Sequence, residues 1–190
     1  MSDILANWIS VGDSMFERVE LYKNDLEKTF DKFIPAPFGG PILIIHENLI
    51  SIHAASGVEI SRWKWRTGGK IITVGWSREQ ELVFVIEDGT VIIYTIYGEL
   101  IKTTSMGQDA KDVKIRDAQV FHSNFSTGVT VLTTSNRFFV VNNLKEPRVR
   151  RLFDPDLRNP GNSPPTWPWK VHSNTYNIII VYSNMFIYRI

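Results

Sequence analysis

The chain contains no cysteine, which excludes disulfides, thiolate zinc sites and a cysteine nucleophile and suits a reducing compartment. Excess charge of either sign is also missing. Twenty-one Lys and Arg against twenty Asp and Glu give a formal net charge of +1, so no global field draws the chain to nucleic acid or to an anionic membrane. The opening MSDILANWIS has neither the basic n-region nor the apolar h-region of a secretory signal. No apolar run approaches the roughly 18–20 residues needed to span a bilayer, and clusters such as Ile178 to Tyr182 are the length of a strand. The sequence reads as cytoplasmic. Only four histidines occur, and His46, His53, His122 and His172 stand in no metal-ligand spacing. P-loop, dinucleotide and G-x-S-x-G patterns are absent too.

What is present is β-structure. At 190 residues with 43% hydrophobic and 22% charged side chains, the chain has the composition of one globular domain. After about residue 40, short β-branched and aromatic runs alternate with turn residues. Leu82-Val83-Phe84-Val85-Ile86 and Thr90-Val91-Ile92-Ile93-Tyr94 flank Glu87-Asp88-Gly89, and Asp-Gly between two such runs predicts a hairpin with both central residues at positive φ. Adding Ile71 to Trp76 and Glu99 to Thr104 completes a four-strand meander. The pattern recurs. Hairpin turns at His46–Leu49, Glu87–Thr90, Thr134–Arg137 and Tyr182–Met185 are spaced by about 41, 47 and 48 residues, within the range of propeller blades. Ile42 to Ile45 faces Ile50 to His53, Val129 to Thr133 faces Phe138 to Val141, and Asn177 to Val181 faces Phe186 to Tyr188. Several of these runs are apolar throughout, as inner strands covered on both faces should be.

A two-layer sandwich shares some of these features, but the regular return of one hairpin favours a partial, WD40-like β-propeller of about three complete blades plus part of a fourth. Residues 1–40 are expected to supply an N-terminal strand and a connecting segment belonging to the propeller, and residues 41–190 the incomplete propeller itself. Phe16, Val19, Leu26, Phe30 and Phe33 can be read at helical spacing, and Met15, Val19 and Leu21 fit a strand almost as well; a strand followed by a short helical or irregular stretch is expected before the turn-rich link of Pro35 to Pro41. Arg158 to Pro168 reads as a loop between the third and fourth units. Three blades and a fraction do not close a ring, so the chain ending at Ile190 is expected to be the front part of a longer protein.

Residue patterns that carry chemistry are scarce in the sequence. Asp154 and Asp156 flank Pro155, and Glu79 and Glu81 flank Gln80; as turn carboxylates they default to solvent. No catalytic, cofactor or metal residue is assigned. Two basic stretches merit weighing. Arg62-Trp63-Lys64-Trp65-Arg66 interleaves cations with stacking rings, as single-strand binders do, yet its alternation equally describes a half-buried strand with tryptophans in and cations out. Arg148-Val149-Arg150-Arg151 could receive an acidic loop or a phosphoinositide headgroup, or be a plain charged strand. A nucleic-acid- or phosphoinositide-binding module using Arg62–Arg66 or Arg148–Arg151 is therefore the alternative to a protein-interaction module, while a propeller hydrolase would need turnover resting on a residue such as His122 or Asp117.

Trp8-Ile9-Ser10-Val11-Gly12-Asp13-Ser14-Met15-Phe16-Glu17-Arg18, followed by Glu20-Leu21-Tyr22, resembles the opening of the vacuolar protein sorting-associated protein 16 family. Ala36-Pro37-Phe38-Gly39-Gly40-Pro41-Ile42 is similar to that family's next landmark, as are Gly75-Trp76-Ser77 with Glu81-Leu82, Glu87-Asp88-Gly89 with Tyr94, and Ser105-Met106-Gly107. Similarity continues through Asp117-Ala118, Phe121-His122, Phe125, Gly128-Val129 and Leu132-Thr133, covering about residues 7 to 153. The resemblance implies a non-enzymatic subunit of the HOPS and CORVET tethering complexes, acting before fusion of endosomal or lysosomal membranes and attached to them peripherally. It implies an N-terminal propeller followed by a helical solenoid, with a Sec1/Munc18-type subunit among the partners bound through that solenoid. The solenoid is absent from this sequence, so no partner-binding residue carries over, and no nucleic acid or cofactor is implied.

Overall fold

In a computed structural model, residues 8–17, 30–123 and 126–152 are described, together with three further strands of backbone at 170–173, 178–181 and 187–189. The described residues are all-β apart from two short helical turns. A hairpin of β1 (Trp8–Val11) and β2 (Ser14–Glu17) comes first. Three four-stranded antiparallel meanders follow. The first blade is β3 (Lys32–Pro35), β4 (Ile42–His46), β5 (Leu49–His53) and β6 (Glu59–Lys64). The second is β7 (Ile71–Trp76), β8 (Leu82–Ile86), β9 (Thr90–Tyr94) and β10 (Leu100–Ser105), and the third is β11 (Ile115–His122), β12 (Thr127–Thr133), β13 (Phe138–Val141) and β14 (Val149–Arg151). A three-stranded sheet of β15 (Lys170–Ser173), β16 (Ile178–Val181) and β17 (Ile187–Arg189) is the part of the fourth.

The predicted pairings hold in register: Ile45 lies opposite Ile50, Val131 opposite Phe139 and Ile180 opposite Tyr188. Strand β7 lies beside β11, and β11 beside β15, so the first strand of each blade is innermost and the blades stack face to face. Period-2 alternation with both faces covered then explains why the middle strands β8, β12 and β13 are buried throughout. In the second blade Leu82, Phe84, Ile86 and Ile92 pack toward the first blade with Leu43, Ile45, Ile50 and Ile52. Val83, Val85, Val91 and Ile93 pack the opposite way, toward Val129, Val131, Phe139 and Val141 of the third. Every residue of β8 is buried. Burial of one such side chain on both flanks stabilises by roughly 1.5–3 kcal/mol.

Two local expectations are corrected. The Asp88-Gly89 turn is not the two-residue type with paired positive φ: only Gly89 (φ 77) is left-handed. Its N–H bonds the Ile86 carbonyl at 3.0 Å, and the Asp88 carboxylate accepts the Thr90 N–H at 2.9 Å, so an aspartate-closed turn replaces it. Asn136 (φ 61) takes the left-handed place in the third blade, with its N–H on the Thr133 carbonyl at 3.0 Å. In the N-terminal stretch Phe16 lies on β2 and Phe33 on β3. Pro35, placed in the link from sequence, pairs with Ile42 at the end of β3, and the link shortens to a 3₁₀ turn over Pro37–Gly39; residues 18–29 lie outside those described. Finally, a six-residue helix, α1 (Gln108–Val113), connects β10 to β11. It is too short for a periodic signal in the sequence, yet its Ala110, with Met106 before it, plugs the junction between second and third blades at 0% exposure. The turn at Tyr182–Met185 and the Pro-rich loop at Arg158 to Pro168 also fall outside the described residues.

Candidate interaction surface

A stack of meanders presents two ends and a rim. At one end lie the Glu87–Gly89 and Thr134–Asn136 turns and helix α1, knitted by Ile115 N–H to the Glu87 carbonyl at 2.7 Å and Thr134 N–H to the Lys114 carbonyl at 3.1 Å. The other end carries Ser77–Glu81, Thr95–Glu99 and Asn142–Arg148, and there a cleft of about 220 Å³ opens between the second and third blades. It is lined by the apolar Ile93, Ile101 and Leu144 and by the polar Ser77, Glu79, Glu81, Lys102, Thr127, Asn143 and Lys145.

Most of the polar lining is used internally. Lys145 Nζ meets Glu79 Oε1 at 2.7 Å across the blade junction, and that hydrogen bond holds the Glu79 carboxyl below the usual carboxylate range and raises the Lys145 ammonium. Lys102 folds back to donate to the carbonyls of Leu144 and Lys145 at 3.3 and 2.8 Å. Arg78 donates its backbone N–H to Thr127 Oγ1 at 3.0 Å and its guanidinium to the Ser123 carbonyl at 2.6 Å. Ser77, buried, accepts the N–H groups of Glu79 and Glu81 at 3.1 and 3.0 Å and donates to Glu81 Oε2 at 3.2 Å. Glu79 and Glu81, paired in sequence, thus have separate partners. An ionised Glu79 clamped by a lysine is poorly suited to give up a proton near neutrality. The clasp itself left no trace in the sequence, because Glu79 and Lys145 are brought together only by blade stacking.

The histidines are dispersed. His46 ends β4, His53 ends β5, His122 ends β11 and His172 lies in β15. His53 is buried and bridges the Gly57 carbonyl at 3.2 Å and Ser51 Oγ at 3.3 Å. Burial, with Arg78 nearby, lowers the basicity of His122, and Asp117 lies on the same strand. Among the described residues no group of three or more His, Asp or Glu could hold a metal ion. No helix among them is long and apolar enough to cross a membrane. Asp154 and Asp156 lie outside the described residues.

Both basic stretches occupy outer strands. Around β6 the rings turn inward: Trp65 stacks on Phe84 at 4.9 Å, and both tryptophans lie 6.3 Å from Tyr94. Arg62, Lys64 and Arg66 face solvent, with Arg62 paired to Glu59. These rings serve the blade junction and are not displayed for base stacking. Arg148 and Arg150, on and next to β14, line a cleft of about 290 Å³ with Asn142, Asn143 and Glu146. The geometry of the described residues is that of a stiff platform with loops at both ends.

Stacked four-stranded meanders with their first strands innermost define a WD40-type β-propeller module. Solved structures agree on the fold: the WD40 domain of SCAP from fission yeast superposes with a TM-score of 0.51 at 16% identity, over 66% of this chain and 32% of that one. The fission yeast SREBP–SCAP binding domains give 0.56 at 13% identity, over 83% and 45%. The family described as "Vps16, N-terminal region" matches residues 4–187, and the chain belongs to it. The vacuolar protein sorting-associated protein 16 homolog of Drosophila melanogaster is 31% identical over 84% of this chain, and that of Dictyostelium discoideum 25% over 86%. Protein VACUOLELESS1 of Arabidopsis thaliana is 28% identical over 80%. The chain spans 21%, 21% and 19% of the lengths of these relatives.

Proposed function

We propose that the chain is a non-catalytic protein-interaction platform in vacuolar (endosome-to-lysosome) protein sorting, acting as part of a HOPS/CORVET-type tethering complex. The observation that carries this reading is the family match over residues 4–187, on a scaffold whose cleft at the loop-rich end is lined by side chains that bond one another. Relatives whose names place them in vacuolar sorting support the process. Tethering requires binding free energy and geometry, not bond chemistry, and a stack of doubly buried blades supplies the rigidity. Residues 1–40 would belong to the same propeller as residues 41–190. Partners would be other subunits of the complex, a Sec1/Munc18-type protein among them through a solenoid lying beyond this sequence. Attachment to late endosomal or lysosomal membranes would be peripheral, from the cytoplasm, and without a cofactor. The nucleic-acid alternative loses its main support once Trp63 and Trp65 are seated against Phe84 and Tyr94.

The test is affinity purification of the tagged chain from cells, with the tethering subunits quantified by mass spectrometry. Enrichment of those subunits over a tagged unrelated propeller supports the reading. Equal recovery with both baits overturns it for this chain.

A further inference from the structure

The outer strands of the three complete blades end their sheets, and each offers a row of backbone groups to another strand. Two of them are guarded by charge. On β6, Glu59, Arg62 and Lys64 are exposed. On β14, Arg150 and Arg151 are exposed beside Val149. Strand β10 is different. Leu100 and Ile101 are 60% and 46% exposed, and Tyr97 in the preceding turn is 66% exposed. Its one charged residue, Lys102, is withdrawn from the edge and spent on the Leu144 and Lys145 carbonyls.

The pairing of β10 with β9 shifts between Leu100 and Lys102. A bulge re-aims the residue it displaces, and here Ile101 lines the cleft between the blades with Ile93 and Leu144. At about 220 Å³ the cleft falls below the roughly 300–1,000 Å³ of small-molecule sites, but it has room for one large side chain. Its charges are already matched: Glu79 holds Lys145, Ser77 holds Glu81, and Lys102 holds two carbonyls. A charged visitor would gain nothing there.

We infer that the free edge of β10 is a docking site for an extended, uncharged segment of another protein. The segment adds a fifth strand to the second blade and places one bulky apolar side chain into the cleft beside Ile101. Main-chain hydrogen bonds supply affinity and the cleft supplies selectivity.

The probe is a capped seven-residue peptide alternating threonine and valine about a central phenylalanine, with a copy carrying aspartate at the centre. Amide hydrogen exchange of the 190-residue chain is followed with each. The outward amides of Leu100–Ser105 are expected to slow about tenfold with the phenylalanine peptide and to be unchanged with the aspartate copy. Ile101→Lys, at an exposed position, should weaken binding at least tenfold while exchange in β8 and β12 stays as in the parent. Three outcomes overturn the inference: no slowing at millimolar peptide, equal slowing with both peptides, or full binding by Ile101→Lys. Concentration-dependent self-association protecting the same amides without peptide would assign the edge to a second copy and also overturn it. Failure of the peptide would leave membership of a tethering complex untouched.

Discussion

Gly75 on β7 lies against Val120 on β11, so close that a Cβ at Gly75 would stand 2.8 Å from the Val120 Cβ. Inner strands of adjacent blades converge at this point, and the missing side chain permits it. Gly75→Ala is expected to destabilise by about 1–3 kcal/mol through overpacking. Adding Val120→Ala should recover part of that loss, giving a favourable coupling in a double-mutant cycle read by urea denaturation.

Phe84 is wholly buried and stacks on Trp65, and both rings meet Tyr94 edge-on. Phe84→Ala should therefore cost about 3–5 kcal/mol and release the Trp65 fluorescence to longer wavelength. Trp65→Phe should keep the stack and cost less than the alanine change. If the Arg62–Arg66 stretch instead served single strands, added oligonucleotide would quench tryptophan fluorescence in a salt-dependent way; no such quenching is expected.

Thr130 is fully buried in β12, and its hydroxyl has no hydrogen-bond partner. A buried donor left unmatched costs about 1–3 kcal/mol, and valine is nearly its isostere. Thr130→Val should hold or raise the melting temperature, by up to a few degrees.

Acid acts on the second–third blade junction in one direction. The folded pKa of Glu79 lies below its ordinary 4.5 because Lys145 donates to it, so its contribution is present above that value and lost as pH falls through the folded one. His122 is held below its ordinary 6.5 by burial and then by Arg78. The unfolded chain therefore binds the extra proton first, and stability falls as pH drops below about 6.5. Both groups are partly solvated, so each effect should be small, about 1–3 °C in melting temperature. His122→Gln should flatten the decline just below pH 6.5, and Glu79→Gln the one below pH 4.5.

The blade repeat was legible in the sequence because strand alternation and turn chemistry are local. Leu82 to Tyr94 declares its hairpin without reference to any distant residue, and burial on both faces shows as unbroken apolar runs in β8 and β13. Even there the turn type at Asp88 differs from the one its sequence predicts, since the choice between left-handed Asp88 and a carboxylate-closed turn hangs on the Thr90 N–H rather than on residue identity. The surface was far less legible. Local composition could not foresee that Lys145 would clasp Glu79, that Lys102 would abandon its edge, or that α1 would plug a junction, because each depends on how one blade lands on the next. The sequence by itself determined the strands, their partners within a blade and the family. Tertiary structure alone decided which charges cancel, which tryptophans are buried and which edge stays open, because those properties belong to contacts between residues tens of positions apart.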